Sequence, residues 1–134
     1  MKRYRRSVFI SLLIALLGGC SGPFWQFPGG ALVGTQTPLD TGSQPTGNGV
    51  LELETNPADP YSVHVGFVVI DRTIYIDPAD DRTWYQYIQQ DANVRIRFDG
   101  SKDIHPVLAI AETDPAVLKQ FASDRNVLKL VPRQ

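Results

Sequence analysis

The chain has 134 residues, 43% of them hydrophobic and 20% charged, with 13 basic against 14 acidic side chains and a formal net charge of −1. That length holds one domain plus flanking segments. The single cysteine excludes an internal disulfide, and the lack of a basic patch with interleaved aromatics excludes nucleic acid as a partner, so stability must come from a packed apolar core.

At the amino end, Lys2, Arg3, Arg5 and Arg6 precede an uncharged, almost wholly apolar run from Ser7 to Leu17. A basic stretch followed by a short apolar run has the composition of an export signal. As a helix rising about 1.5 Å per residue the run covers roughly 16 Å, about half of a ~30 Å hydrocarbon core, too little to remain as a span. Residues 1–19 are therefore expected to be a removed signal peptide. Taking the four signal cations from 13 leaves 9 basic against 14 acidic side chains, a net of −5.

Leu17-Gly18-Gly19-Cys20 follows at once and resembles the lipobox of bacterial lipoproteins: an aliphatic residue, two small ones and the only cysteine. The small residues let the backbone enter a narrow peptidase cleft, and a thiol is the side chain most readily alkylated. The resemblance implies a diacylglyceryl group on Cys20, cleavage just before it, and acylation of the new amino terminus. Two or three acyl chains exceed the marginal hold of one, so the implied partner is a membrane, reached through the lipid on Cys20. Ser21 stands where an Asp would mark inner-membrane retention in that family, which implies the outer membrane with the domain facing the periplasm.

Residues 20–49 are rich in Gly, Pro, Ser and Thr, the composition of a lipidated tether. Within them Phe24, Trp25 and Phe27 are too apolar for a spacer alone. They fit either the headgroup zone, which amphipathic rings favour, or a site packed back on the domain. The domain is expected at residues 50–134.

Val50 to Thr55 alternates Leu51 and Leu53 with Glu52 and Glu54, as a half-buried strand does. Tyr61 to Ile70 is a longer strand, with Val63, Val65 and Phe67 on one face and Ser62, His64 and Gly66 on the other, and is the candidate for a central position. Asp71-Arg72 turns the chain into Thr73 to Asp77. A helix capped by Asp80 or Asp81 is predicted to run to about Gln90, with Trp84 and Ile88 one turn apart and facing the sheet. Val94, Ile96 and Phe98 alternate with Arg95 and Arg97 before the hairpin signal Asp99-Gly100. Ile104 to Ala111 follows as a strand whose Pro106 suggests an edge or bulge. Asp114-Pro115 opens a second helix presenting Val117, Leu118 and Phe121, and Asn126 to Val131 closes as a strand. The pattern predicts a mainly β domain with two short helices, mostly antiparallel, curled into a small barrel.

The runs Tyr61 to Val69, Thr73 to Ile76 and Arg82 to Ile96, with Trp84-Tyr85-Gln86-Tyr87 in the helix, resemble the split β-barrel superfamily. That superfamily includes pyridoxamine-phosphate oxidase-like flavoproteins and deazaflavin-dependent nitroreductases. The resemblance covers about Val50 to Ala111 and implies a split barrel, and a homodimer with cofactor sites at its seam. It also implies Arg or Lys on and after the first barrel strands to hold the cofactor phosphate, since phosphate needs charge-assisted donors.

Here the chain departs from the pattern, because Glu54 to Ile70 contains no Lys or Arg. The nearby cations are Arg72, Arg82, Arg95 and Arg97, of which Arg82 could meet a phosphate at a helix amino terminus, although a solvated cation on a capped helix is the favoured expectation for it. The favoured expectation is a binding or structural module without cofactor. The alternative is an FMN- or deazaflavin-dependent oxidoreductase. Other catalytic readings are thinner: His64 and His105 with Asp77, Asp80 and Asp81 lack metal-ligand spacing, Ser62 has no nucleophile elbow, and no catalytic triad can be assembled. Trp84, Tyr85, Tyr87 and Tyr75 read as core in preference to a ligand groove. The sequence names no small-molecule or protein partner.

Overall fold

The computed structural model describes residues 22–133, so the predicted signal and Cys20 lie outside the described residues. Its elements are β1 (Thr35–Gln36), β2 (Asn48–Thr55), β3 (Tyr61–Ile70), β4 (Thr73–Ile76), α1 (Thr83–Gln90), β5 (Asn93–Phe98), β6 (Asp103–Ala111), α2 (Pro115–Leu118) and β7 (Leu128–Pro132). Strands β2 to β7 form a closed barrel in the order β6-β5-β2-β3-β4-β7, with β7 returning to β6 and every pairing antiparallel. Closure leaves no free edge on the barrel strands. The short β1 lies outside, parallel to the start of β6.

The interior is built by alternation. Leu51 and Leu53, Val65 and Phe67, Ile74 and Ile76, Val94 and Ile96, Val107 and Ala109, and Leu128 and Leu130 point inward as pairs two residues apart. Ile88 of α1 joins the same cluster. Burying one such Leu or Ile fully contributes about 1.5–3 kcal/mol, which makes this layer the main source of stability. The β3–β4 connection is a two-residue turn in which Asp71 and Arg72 both take positive φ, 49° and 63°. That backbone matches the right-handed twist of a hairpin. Gly100 supplies a φ of 75° at the β5–β6 turn, where a side chain would be strained.

Several details differ from the sequence reading. Neither Asp80 nor Asp81 caps α1. Arg82 occupies the cap position with no side-chain bond to the helix, while Asp80 accepts a hydrogen bond from Asn126 Nδ2 at 2.7 Å. The second helix is capped by Asp114, whose carboxylate accepts from Ala116 N at 2.9 Å, yet it is a single turn that buries no side chain. One turn is too short to present a continuous face, and only Phe121, beyond its end, meets an aromatic, Tyr75, at 5.9 Å between ring centres. Pro106 sits at the corner where one side of β6 leaves β1 and takes up β7, a place that requires no ladder donor.

The largest difference concerns the stretch with tether composition. Residues 22–39 run along the barrel wall: Leu32 and Leu39 are buried, Gly29 pairs with Ser62 in both directions at 2.8 and 2.9 Å, and β1 extends the sheet. Gly, Pro and Thr here permit a close, irregular path over a surface in place of a solvated spacer.

Candidate functional site

The outward faces of β2, β3 and β5 carry the polar residues that the sequence offered as chemistry, and the strap of residues 22–37 crosses them. Register sets the acids of β2 opposite the bases of β5, Glu52 beside Arg97 and Glu54 beside Arg95. Arg95 donates to both oxygens of Glu54, from Nε at 2.8 Å and from Nη2 at 2.6 Å. The same carboxylate accepts from Leu32 N at 2.7 Å, and Arg95 Nη2 also donates to the Leu32 carbonyl at 3.2 Å. Glu54, almost fully buried, thereby accepts three hydrogen bonds. Its hydrogen bonds hold the Arg95 guanidinium above its ordinary pKa, against the desolvation that opposes them.

The next rung repeats the design. Arg97 Nε bonds Glu52, and Arg97 Nη1 donates to the Val33 carbonyl at 2.9 Å. On β3, Ser62 is completely buried and donates its hydroxyl to the Gly30 carbonyl at 2.7 Å. His64 Nδ1 meets the Trp25 carbonyl at 2.8 Å, and His105 Nδ1 meets that of Thr37 at 2.9 Å. Because a carbonyl only accepts, both rings carry a proton on Nδ1. Ser62, His64, His105, Arg95 and Arg97 thus each spend a hydrogen bond on the chain's own backbone. Among the described residues no three His, Cys, Asp or Glu side chains come together to hold a metal.

Two hollows of about 290 Å³ each adjoin this face, and a third of about 600 Å³ lies along Asn48, Val50, Gly66 and Val68 toward Phe121. Of the two smaller, one lies under the strap's first turn, between Trp25, Val50, Glu52, His64 and Asp99. The other opens beside the start of α1 and is lined by His64, Gly66, Asp77, Arg82, Trp84 and Arg125. Trp84 packs one side against the core and shows the other to this hollow, so it is half-buried and not the fully enclosed plug expected. Arg125, which the sequence reading missed, donates to the Asp77 carbonyl at 3.2 Å. The two smaller hollows sit at the lower bound of small-ligand sites, roughly 300–1,000 Å³, and the third falls within that range.

The remaining candidates do not converge. Arg72 is exposed in its hairpin turn. Tyr87 stacks edge-on against Tyr61 at 5.4 Å. Tyr75 is buried on β4 and donates to Glu112 at 3.1 Å, its phenol pushed up first by burial and then by that carboxylate.

A flavin or deazaflavin phosphate would need cations with free hydrogen-bonding capacity. The wall of β2, β3 and β5 does not fit one, since Arg95 and Arg97 are each matched to a carboxylate and a backbone carbonyl. Among the described residues, the exposed Arg82 and Arg125 line the hollow beside α1.

No protein-family profile and no curated protein sequence matches this chain. Among solved structures, the barrel is similar to a Listeria innocua protein provisionally assigned as a pyridoxamine 5′-phosphate oxidase, with 17% identity, a TM-score of 0.54, and coverage of 63% of this chain and 84% of that one. It is also similar to an Agrobacterium tumefaciens protein of unknown function, with 15% identity, a TM-score of 0.48, and coverage of 63% of this chain and 48% of the other. At such identity the likeness is one of fold alone: the described residues form a mainly β, antiparallel six-stranded barrel with one outer strand, similar in fold to the Listeria protein.

Proposed function

We propose that this chain is a lipoprotein held in the outer membrane by lipid on Cys20, whose periplasm-facing barrel serves as a binding or structural module and not as an oxidoreductase. The observation that carries the second half is the pairing of Arg95 with Glu54 and of Arg97 with Glu52 under the strap. A barrel that uses its wall cations to tie down its own leader has no phosphate cradle there. The first half rests on the lipobox-like Leu17-Gly18-Gly19-Cys20 behind a basic and apolar run.

Two measurements test the reading. The protein purified from bacterial membranes should show no visible flavin or deazaflavin absorbance. A stoichiometric yellow chromophore that survives gel filtration would instead favour the oxidoreductase. Cys20→Ser should abolish lipid attachment and stall cleavage, because a hydroxyl is a far weaker nucleophile than a thiolate. A serine variant that still enters the detergent phase as a shortened species would remove the anchor from the proposal.

A further inference from the structure

The strap begins with a tight turn that faces away from the barrel. Phe24 N donates to the Phe27 carbonyl at 3.1 Å and Phe27 N returns the bond to Phe24 at 2.9 Å. At the tip Trp25 takes a φ of 54°. The rings of Phe24, Trp25 and Phe27 are 69%, 76% and 68% exposed. Their exposure does not come from a loose attachment. Pro23 is buried, Gly22 and Gly29 touch so closely that a side chain on Gly29 would overlap Gly22, and Gly29 is paired with Ser62. His64 grips the turn from below through the Trp25 carbonyl. A clamped turn thus holds three large aromatics out in solvent.

Distance along the chain decides what covers them. Cys20 is two residues before Gly22, the first described position. At no more than ~3.6 Å per residue those two steps reach about 7 Å. If Cys20 carries the lipid, the strapped leader leaves no spacer, and the turn must lie at the depth where the acyl chains enter the bilayer. Rings with an apolar body are favoured at that depth.

Resting on the anchoring reading above, we propose that the Phe24–Phe27 turn is seated in the interface of the lipid bilayer and holds the barrel flat against the membrane in one orientation. The contact is apolar and not electrostatic: the chain beyond residue 19 has 9 basic and 14 acidic side chains, and Glu52 and Asp99 flank the hollow behind Trp25. It should therefore need no anionic lipid and should resist salt.

The test uses the lipidated full-length product purified from bacterial membranes and reconstituted in phosphatidylethanolamine and phosphatidylglycerol vesicles. The chain has two tryptophans, so Trp84→Phe leaves Trp25 as the only reporter. If that variant folds poorly, the difference between the native protein and Trp25→Phe gives the same signal. Flotation reports the anchor, and quenching of Trp25 by lipids spin-labelled near the headgroup reports the turn. The expected result is flotation, blue-shifted emission quenched by the labelled lipid, several-fold protection from aqueous iodide, and no loss of these in high salt. A protein that floats while Trp25 stays open to iodide and unquenched by lipid keeps the anchor and overturns the seated turn. A protein that does not float overturns the anchor and the seating with it.

Discussion

Arg95→Met is the sharpest test of the strap as a structural element. The substitution leaves Glu54, only 5% exposed, without its two bonds to the guanidinium at 2.8 and 2.6 Å and with Leu32 N alone as a donor. Breaking a buried ion pair from one side costs about 3–5 kcal/mol. Because the Arg95 side chain is 26% exposed, water can enter the space it vacates, which places the loss near the lower end, about 3 kcal/mol. With a urea slope of roughly 1.5 kcal/mol/M the midpoint of the chain from residue 21 onward should fall by about 2 M. Adding Glu54→Leu removes the orphaned charge and leaves the Leu32 N–H and carbonyl unpaired, at about 1 kcal/mol each. The double variant should therefore be more stable than the single one. Leu32 N–H should also exchange faster with solvent in both. An unchanged midpoint for Arg95→Met, or a double variant weaker than the single, would refute the pairing as the strap's fastening.

Trp84→Ala removes an indole that is half in the core and half in the hollow beside Arg82. It should cost about 2 kcal/mol, less than the ~3–5 kcal/mol of a fully buried Trp, and a urea midpoint equal to the parent's would assign the indole to the hollow alone. In acid, Glu112 and Asp91 matter. Backbone bonds from Asp114 and Thr113 hold the Glu112 carboxyl below its usual range, and those from Asn93 do the same for Asp91. Carboxyls lowered in the folded state give stability that is present above the ordinary carboxylate range and lost as pH falls through the folded values, so urea midpoints should hold level near neutrality and drop below about pH 4. Glu112→Gln should flatten that acid limb, and an equally steep limb in the variant would count against this assignment.

The alternation of Leu51, Leu53, Val65, Phe67, Val94 and Ile96 was enough to predict the barrel strands, because a period of two says which face of a strand seeks the core whatever its neighbours are. Asp71-Arg72 and Asp99-Gly100 likewise marked their hairpins, since turn chemistry is local. The cap of α1 and the burial of α2 were not legible: Asp80 chose Asn126, 46 positions away, and the one-turn α2 could not cover the sheet. The same limit governs the site. Two acids spaced by two on β2 and two bases spaced by two on β5 were visible from the start, but only the antiparallel register put Glu54 on Arg95 and Glu52 on Arg97. Only the closed wall then supplied the donors and acceptors that drew Leu32, Gly30, Trp25 and Thr37 onto it. Composition read that segment as a tether because Gly and Pro disfavour regular structure, which is a statement about local backbone. Whether such a segment floats or docks depends on partners contributed by distant strands, and those exist only in the folded molecule.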